Sequence, residues 1–256
     1  MTLNKLATLL LPLILLAPAL PARAADPETG TRTELLAETS VPLSRAEAAA
    51  FFGGPAKDDD RILVIPAILI VMAGAKVWNV IMDNRPTANL DSAYASAIPG
   101  FAFNWNDLAA WRKVTRRYRF TIDKKLQGRA VDIVYEVSFY HGAIPSPENP
   151  ALKGRYIANF TVKPLDINLK WGWKVSLQAA MSNPMNIGTA EEPVAWLNAD
   201  LTWRYAKPLS TDPEIGVNSL AVDGLGKITE AAYGQLDISP VPVAEYREDA
   251  PALGWN

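Results

Sequence analysis

The 256-residue chain contains no cysteine. Disulfides, thiolate nucleophiles and thiolate metal sites are therefore excluded, and stability has to come from the core. Histidine is nearly absent too: His141 stands alone, too few for a histidine-built zinc centre. No Gly-x-Ser-x-Gly elbow exists to give it a nucleophile to activate. Gly224-Leu225-Gly226-Lys227 lacks the spacing of a phosphate-cradling loop. Asp58, Asp59 and Asp60 lack the alternation of a calcium loop and read as a solvated turn. The net charge of −2 implies no global electrostatic partner. The expectation is no catalytic, metal or cofactor site, and no nucleic-acid partner. Asp132, Glu136 and Asp200 remain as weak candidates for a glycoside-cleaving carboxylate pair.

What is present begins with a leader. Residues 1–24 carry Lys5, an apolar run from Leu6 to Leu16, and Ala22-Arg23-Ala24 as a small-x-small cleavage site. This is the pattern of a secretory signal peptide. The run is short and broken by Pro12 and Pro18, which disfavours a membrane anchor. No cysteine follows the cleavage site, so a lipoprotein anchor is excluded. The expected destination is the bacterial periplasm or the exterior.

Residues 25–60 read as a flexible segment with one short helix. Ser44 and Glu47 have capping-box spacing, and Gly53-Gly54-Pro55 stops the helix. Ile62 to Met82 reads as an apolar helix. Lys76, Asn79 and Asp83 are spaced three and four apart, Pro66 suits the first turn, and Asn84-Arg85-Pro86 ends it. Its expected place is the protein's own core, with a membrane span or a membrane-entering second state as alternatives. A further short helix is expected from Asn106 through Val114.

Strands dominate thereafter. Tyr118, Phe120 and Ile122 alternate with Arg117, Arg119 and Thr121, and Val131, Ile133, Tyr135, Val137 and Phe139 share a face. Arg155 to Val162, Trp171 to Ala179 and Val194 to Tyr205 continue the pattern. Period-two alternation predicts half-buried antiparallel strands. Trp171, Trp173 and Trp203 read as core residues. Ser219 to Ile228 reads as a last strand and 229–256 as a tail. The fold class is mainly β with N-terminal helices: an antiparallel β-sandwich, Ig-like or similar, of about five to seven strands preceded by the apolar helix. The domain spans 61–228. An outer-membrane barrel is the rival fold.

One charge feature stands out. Arg112, Lys113, Arg116, Arg117, Arg119, Lys124, Lys125 and Arg129 fall close together, opposed in that stretch only by Asp123, with Trp105 and Trp111 nearby. The plain reading is a solvated face balanced by acids elsewhere. The functional reading is a patch for anionic lipid or acidic glycan. The 182–193 loop is a second candidate contact. The leading functional expectation is a non-enzymatic binding protein of the envelope or exterior. The alternatives are a membrane-surface-binding or membrane-inserting protein using the 62–82 helix and the 112–129 patch, and a glycan-binding or glycan-cleaving domain. The partners in view are anionic lipid, glycan or another envelope protein.

Overall fold

The computed structural model describes residues 29–44, 46–47, 70–86, 93–100, 108–125, 127–142, 144–145, 153–234 and 237–239. Among them sixteen strands form. They are β1 (Thr29–Pro42), β2 (Ile70–Gly74), β3 (Val77–Met82), β4 (Arg85–Pro86), β5 (Ala95–Pro99), β6 (Leu108–Ala109), β7 (Arg112–Lys124) and β8 (Gly128–His141). There follow β9 (Ile144–Pro145), β10 (Ile157–Leu169), β11 (Lys174–Met181), β12 (Met185–Asn186), β13 (Ala195–Ala206), β14 (Glu214–Asp223), β15 (Ile228–Gly234) and β16 (Asp237–Ser239). They build two seven-stranded sheets. The first runs β16-β1-β7-β8-β10-β5-β2; the second runs β15-β14-β13-β11-β3-β4, with β12 added on β13. β6 and β9 pair separately. Every pairing between these strands is antiparallel except β1 with β16. The arrangement is mostly antiparallel β in two sheets, consistent with a β-sandwich, and the strand number exceeds the expected five to seven.

The alternation read from the sequence becomes the interior. Tyr118, Phe120 and Ile122 of β7, Val131 to Phe139 at every second position of β8, and Ala195 to Tyr205 at every second position of β13 are buried. Phe120 and Trp203, one from each sheet, stack with ring centroids 4.1 Å apart. Tyr135 meets the edge of Trp203 at 5.4 Å and stacks with Tyr118 at 5.2 Å. The two sheets are thus joined by aromatic contact at their centres, where large apolar rings add most.

The apolar helix is a correction. Residues 70–82 of it form β2 and β3, which belong to different sheets. Gly74 makes the switch at φ +100; a Cβ there would lie 2.3 Å from the Tyr94 carbonyl oxygen. The three-and-four spacing of Lys76, Asn79 and Asp83 has another cause. Lys76 lies in the connection, Asn79 is on an outward position of β3, and Asp83 is in the β3–β4 turn. That turn holds Asp83 at φ 46 and Asn84 at φ 64, the left-handed pair of a type I′ hairpin, which Asp and Asn tolerate well. Residues 62–69 of the expected helix lie outside the described residues. None of the helices among the described residues is long and apolar enough to cross a membrane.

Three further local expectations change. Thr29–Pro42, read as flexible, is β1 and pairs along β7. Ala109 and Arg112 onward, read as helix, are strand, with Ala110 between them at φ 56. Ile228–Gly234 and Asp237–Ser239, placed in or at the border of a tail, are β15 and β16. The capping box does form: the Ser44 amide donates to Glu47 at 2.8 Å and the Glu47 amide to Ser44 Oγ at 3.2 Å. Most of the helix it was expected to start, the signal peptide, and the Asp58–Asp60 run lie outside the described residues.

Candidate functional site

Four of the eight basic residues, Arg116, Arg117, Arg119 and Arg129, are paired with carboxylates where they stand. Arg117 on β7 faces Glu136 on β8, its Nε donating at 3.1 Å. Arg119 grips Asp132 in a two-pronged contact of 2.7 and 2.5 Å. Arg129 adds bonds to Asp132 at 3.2 Å and Asp123 at 3.4 Å. Hydrogen bonding from Arg119, the largest cause, holds the Asp132 carboxyl below its usual range. Arg116 turns inward and contacts Glu38 of β1 and Glu230 of β15. Arg112 bonds Ser40, Lys113 lies over the Tyr140 ring, and Lys124 lies over the Trp173 ring. Trp111 is buried, and Trp105 lies outside the described residues. Of the ten residues singled out, Lys125 is exposed in the β7–β8 turn with no partner among the described residues. Alternating cross-strand pairing explains this arrangement, because arginines on one strand meet carboxylates on the next.

The weak carboxylate candidates do not converge. Asp132 and Glu136 alternate with buried β8 residues and so lie on the outer face of the first sheet. Asp200 lies on the outer face of the second sheet, where it accepts from Asn198 at 2.9 Å and from the Ser219 hydroxyl. Residues on opposite outer faces cannot flank one scissile bond. No metal-holding group of three His, Cys, Asp or Glu side chains occurs among the described residues. His141 is buried with Gly226 against its ring; a Cβ at 226 would sit 2.4 Å from the imidazole. Burial lowers its pKa, with Arg112 and Arg155 adding to the shift and the Gly224 backbone and Asp223 opposing it.

A different site emerges at the end of the sheets where β10 turns into β11 and β13 into β14. Lys170 to Trp173 form one turn: the Trp173 amide donates to the Lys170 carbonyl at 3.2 Å, and Gly172 has φ +81. Lys207 to Ser210 form another: the Ser210 amide donates to the Lys207 carbonyl at 3.1 Å, and Leu209 has φ 66. Both have the signs of type II turns, with a left-handed third residue; the second has Pro208 at the favoured second position. The two turns touch, since a Cβ on Gly172 would lie 2.9 Å from Pro208 Cβ. Asn84 fixes the first turn from a third side. Its amide donates to the Trp173 carbonyl at 2.9 Å and its side-chain oxygen accepts from the Val175 amide at 2.5 Å.

Trp171 is 88 % exposed and Leu209 is 99 % exposed. The expectation that Trp171 fills the core is therefore corrected: the sheet alternation ends at Trp173, and residue 171 belongs to the turn. Beside these tips lies a groove of 420 Å³, bordered by Lys174, Ser176, Arg204, Ser210 and Thr211, with Asp83 as its one acidic lining residue. Lys174 and Arg204 have no carboxylate partner among the described residues. Lys170 reaches the Gln127 carbonyl at 2.5 Å, and Lys125 stands in the neighbouring turn. Two exposed tips thus stand near a groove of mixed lining, in which Lys174 and Arg204 outnumber Asp83 and in which Val175, Tyr205, Ala206 and Pro213 supply the apolar part. Sequence reasoning missed Leu209, Lys174 and Arg204. The available signals were the turn patterns Lys-Trp-Gly-Trp and Lys-Pro-Leu-Ser, each of which places a large apolar side chain inside a turn.

The 182–193 loop is at the opposite end. It is braced from within: Asn186 Oδ1 accepts from the amides of Gly188 and Val194, both at 2.9 Å, and its amide donates to the Thr189 carbonyl. Compared with protein-family models, with curated proteins and with solved structures, the chain matches none.

Proposed function

We propose that the protein is an exported, non-enzymatic binding module of the bacterial envelope or exterior. Its body is a β-sandwich, immunoglobulin-like in the general sense of two packed antiparallel sheets. The partner meets the turn end of the sheets. The observation that carries this reading is the exposure of Trp171 and Leu209 on two touching turns, with the 420 Å³ groove beginning at Ser210, next to Leu209. A partner that covered two such neighbouring side chains would gain the free energy of their burial.

The test is site-specific photo-crosslinking in the producing cell. A benzophenone amino acid replaces Trp171 or Leu209, with Leu225 at the opposite end as comparison. Adducts of one kind from 171 and 209 but not 225 are expected. Adducts equally abundant from all three positions, or none from 171 and 209, would overturn the reading.

A glycan ligand is the second reading. The exposed ring of Trp171 near a groove that carries hydroxyls and charged side chains suits stacking on a sugar face.

A further inference from the structure

We propose that the turn end docks on an anionic phospholipid surface, with Trp171 and Leu209 entering the interface and the groove receiving a headgroup. This rests on the reading that the turn end is the binding end, and names what binds there. Three observations favour a lipid surface over a sugar or a protein.

The tips differ in kind. Trp171 presents an amphipathic ring, the side chain that settles at headgroup depth. Leu209 presents a pure hydrocarbon with no hydrogen-bonding atom beyond its backbone, which suits acyl chains and offers a sugar hydroxyl nothing. Both stand on rigid turns, so little ordering is needed on contact.

The charge is complementary. Among the described residues Lys174 and Arg204 flank the groove without ion-pair partners, and Lys125 in the next turn has none either. Asp83 borders the groove and Asp212 lies in the β13–β14 connection, but neither is bonded to these cations among the described residues. Lys207 is occupied by Glu214 at 3.6 Å. Unpaired cations beside apolar tips are the arrangement that draws a protein to an anionic leaflet. A guanidinium and an ammonium with Ser210 and Thr211 hydroxyls can meet the oxygens of a phosphodiester.

The backbone carries a cost that stability does not explain. Leu209 is held at φ 66, where a non-glycine residue is disfavoured. Glycine or asparagine would suit that position better. The leucine side chain returns nothing to the fold, being 99 % exposed.

The experiment is flotation of the purified protein with phosphatidylcholine vesicles, and with phosphatidylcholine–phosphatidylglycerol vesicles, at low and high salt. Brominated lipid is included to quench tryptophans that enter the bilayer. The protein is expected to float with the anionic vesicles, to be released by salt, and to show quenching that Trp171→Ala removes. Lys174→Glu combined with Arg204→Glu, and Leu209→Gly alone, are each expected to lower the partition coefficient by roughly tenfold. Lys227→Glu, an exposed cation at the opposite end, is expected to leave it unchanged. No flotation with anionic vesicles, or flotation indifferent to the tip and charge variants, overturns the inference. If crosslinks from 171 and 209 then run to a protein or a glycan, the binding end stands and the lipid assignment falls. If neither crosslinks nor flotation are seen, both fall.

Discussion

Leu209 sets binding against stability within one residue. Its left-handed backbone costs about 1–2 kcal/mol relative to a residue at ease there, and its side chain makes no compensating burial. Leu209→Gly is therefore expected to raise the unfolding free energy by up to about 1 kcal/mol, less any loss from the added freedom of the unfolded chain. Chemical denaturation checks this, and the same variant weakens docking. His141 offers a second residue-scale prediction. In the native state its pKa is lowered, chiefly by burial, while the unfolded chain binds a proton below about pH 6.5. The unfolded state then carries more protons, so stability is full above that pH and declines as pH falls through the window below it. His141→Phe keeps a ring against Gly226 and removes the proton site. Denaturant midpoints at pH 7.5 and 5 should converge in that variant, relative to the parent; an unchanged difference would assign the acid sensitivity to other groups.

At the scale of elements, β7 is the organising strand, and its arginines illustrate what can be read from a sequence. Their clustering was visible; their neutralisation was not, because Glu38, Asp132, Glu136 and Glu230 come from three other strands. Arg116 is the most consequential. From β7 it reaches Glu38 of β1 at 3.0 Å and Glu230 of β15 at 2.5 Å, and Tyr118 donates to the same Glu230 oxygen at 2.5 Å. Since β15 belongs to the second sheet, this contact clasps the two sheets near their β1 and β15 margins. Glu230→Ala leaves Arg116 only Glu38 and strands the buried Tyr118 hydroxyl. A loss of about 3 kcal/mol is expected, while Glu230→Gln, which keeps an acceptor for Tyr118, should cost less. Equal losses in the two variants would show that the charge of Glu230 carries the clasp.

The same scale explains why β7, β8, β11 and β13 were foreseen and β2 and β3 were not. The former alternate apolar and polar residues because one face meets the core and the other meets water. In Ile70–Gly74 both faces are at least partly covered, so the alternation is erased and the run resembles a buried helix. The richness of the whole 62–82 run in isoleucine and valine is the remaining signal for strand. The turn-end site was illegible for another reason. Trp171 and Leu209 are 38 residues apart in sequence, and it is the pairing of β11 with β13, from Lys174 opposite Ala206, and the approach of Gly172 to Pro208 that bring their turns together.

For the whole molecule, the pairing of β1 has a consequence in time. β1 lies inside the first sheet, between β16 and β7, and the Glu38–Arg116 bond that accompanies its pairing joins residues 78 apart. Among the described residues β1 thus has no antiparallel partner until β7 has been made, and its parallel neighbour β16 comes later still. Closing such long loops precedes any gain from the pairing, so the sheet is slow to complete. If the chain is exported, as proposed above, slow closure is compatible with passage across a membrane. β1 emerges from the ribosome before β7, the strand that takes it into the sheet.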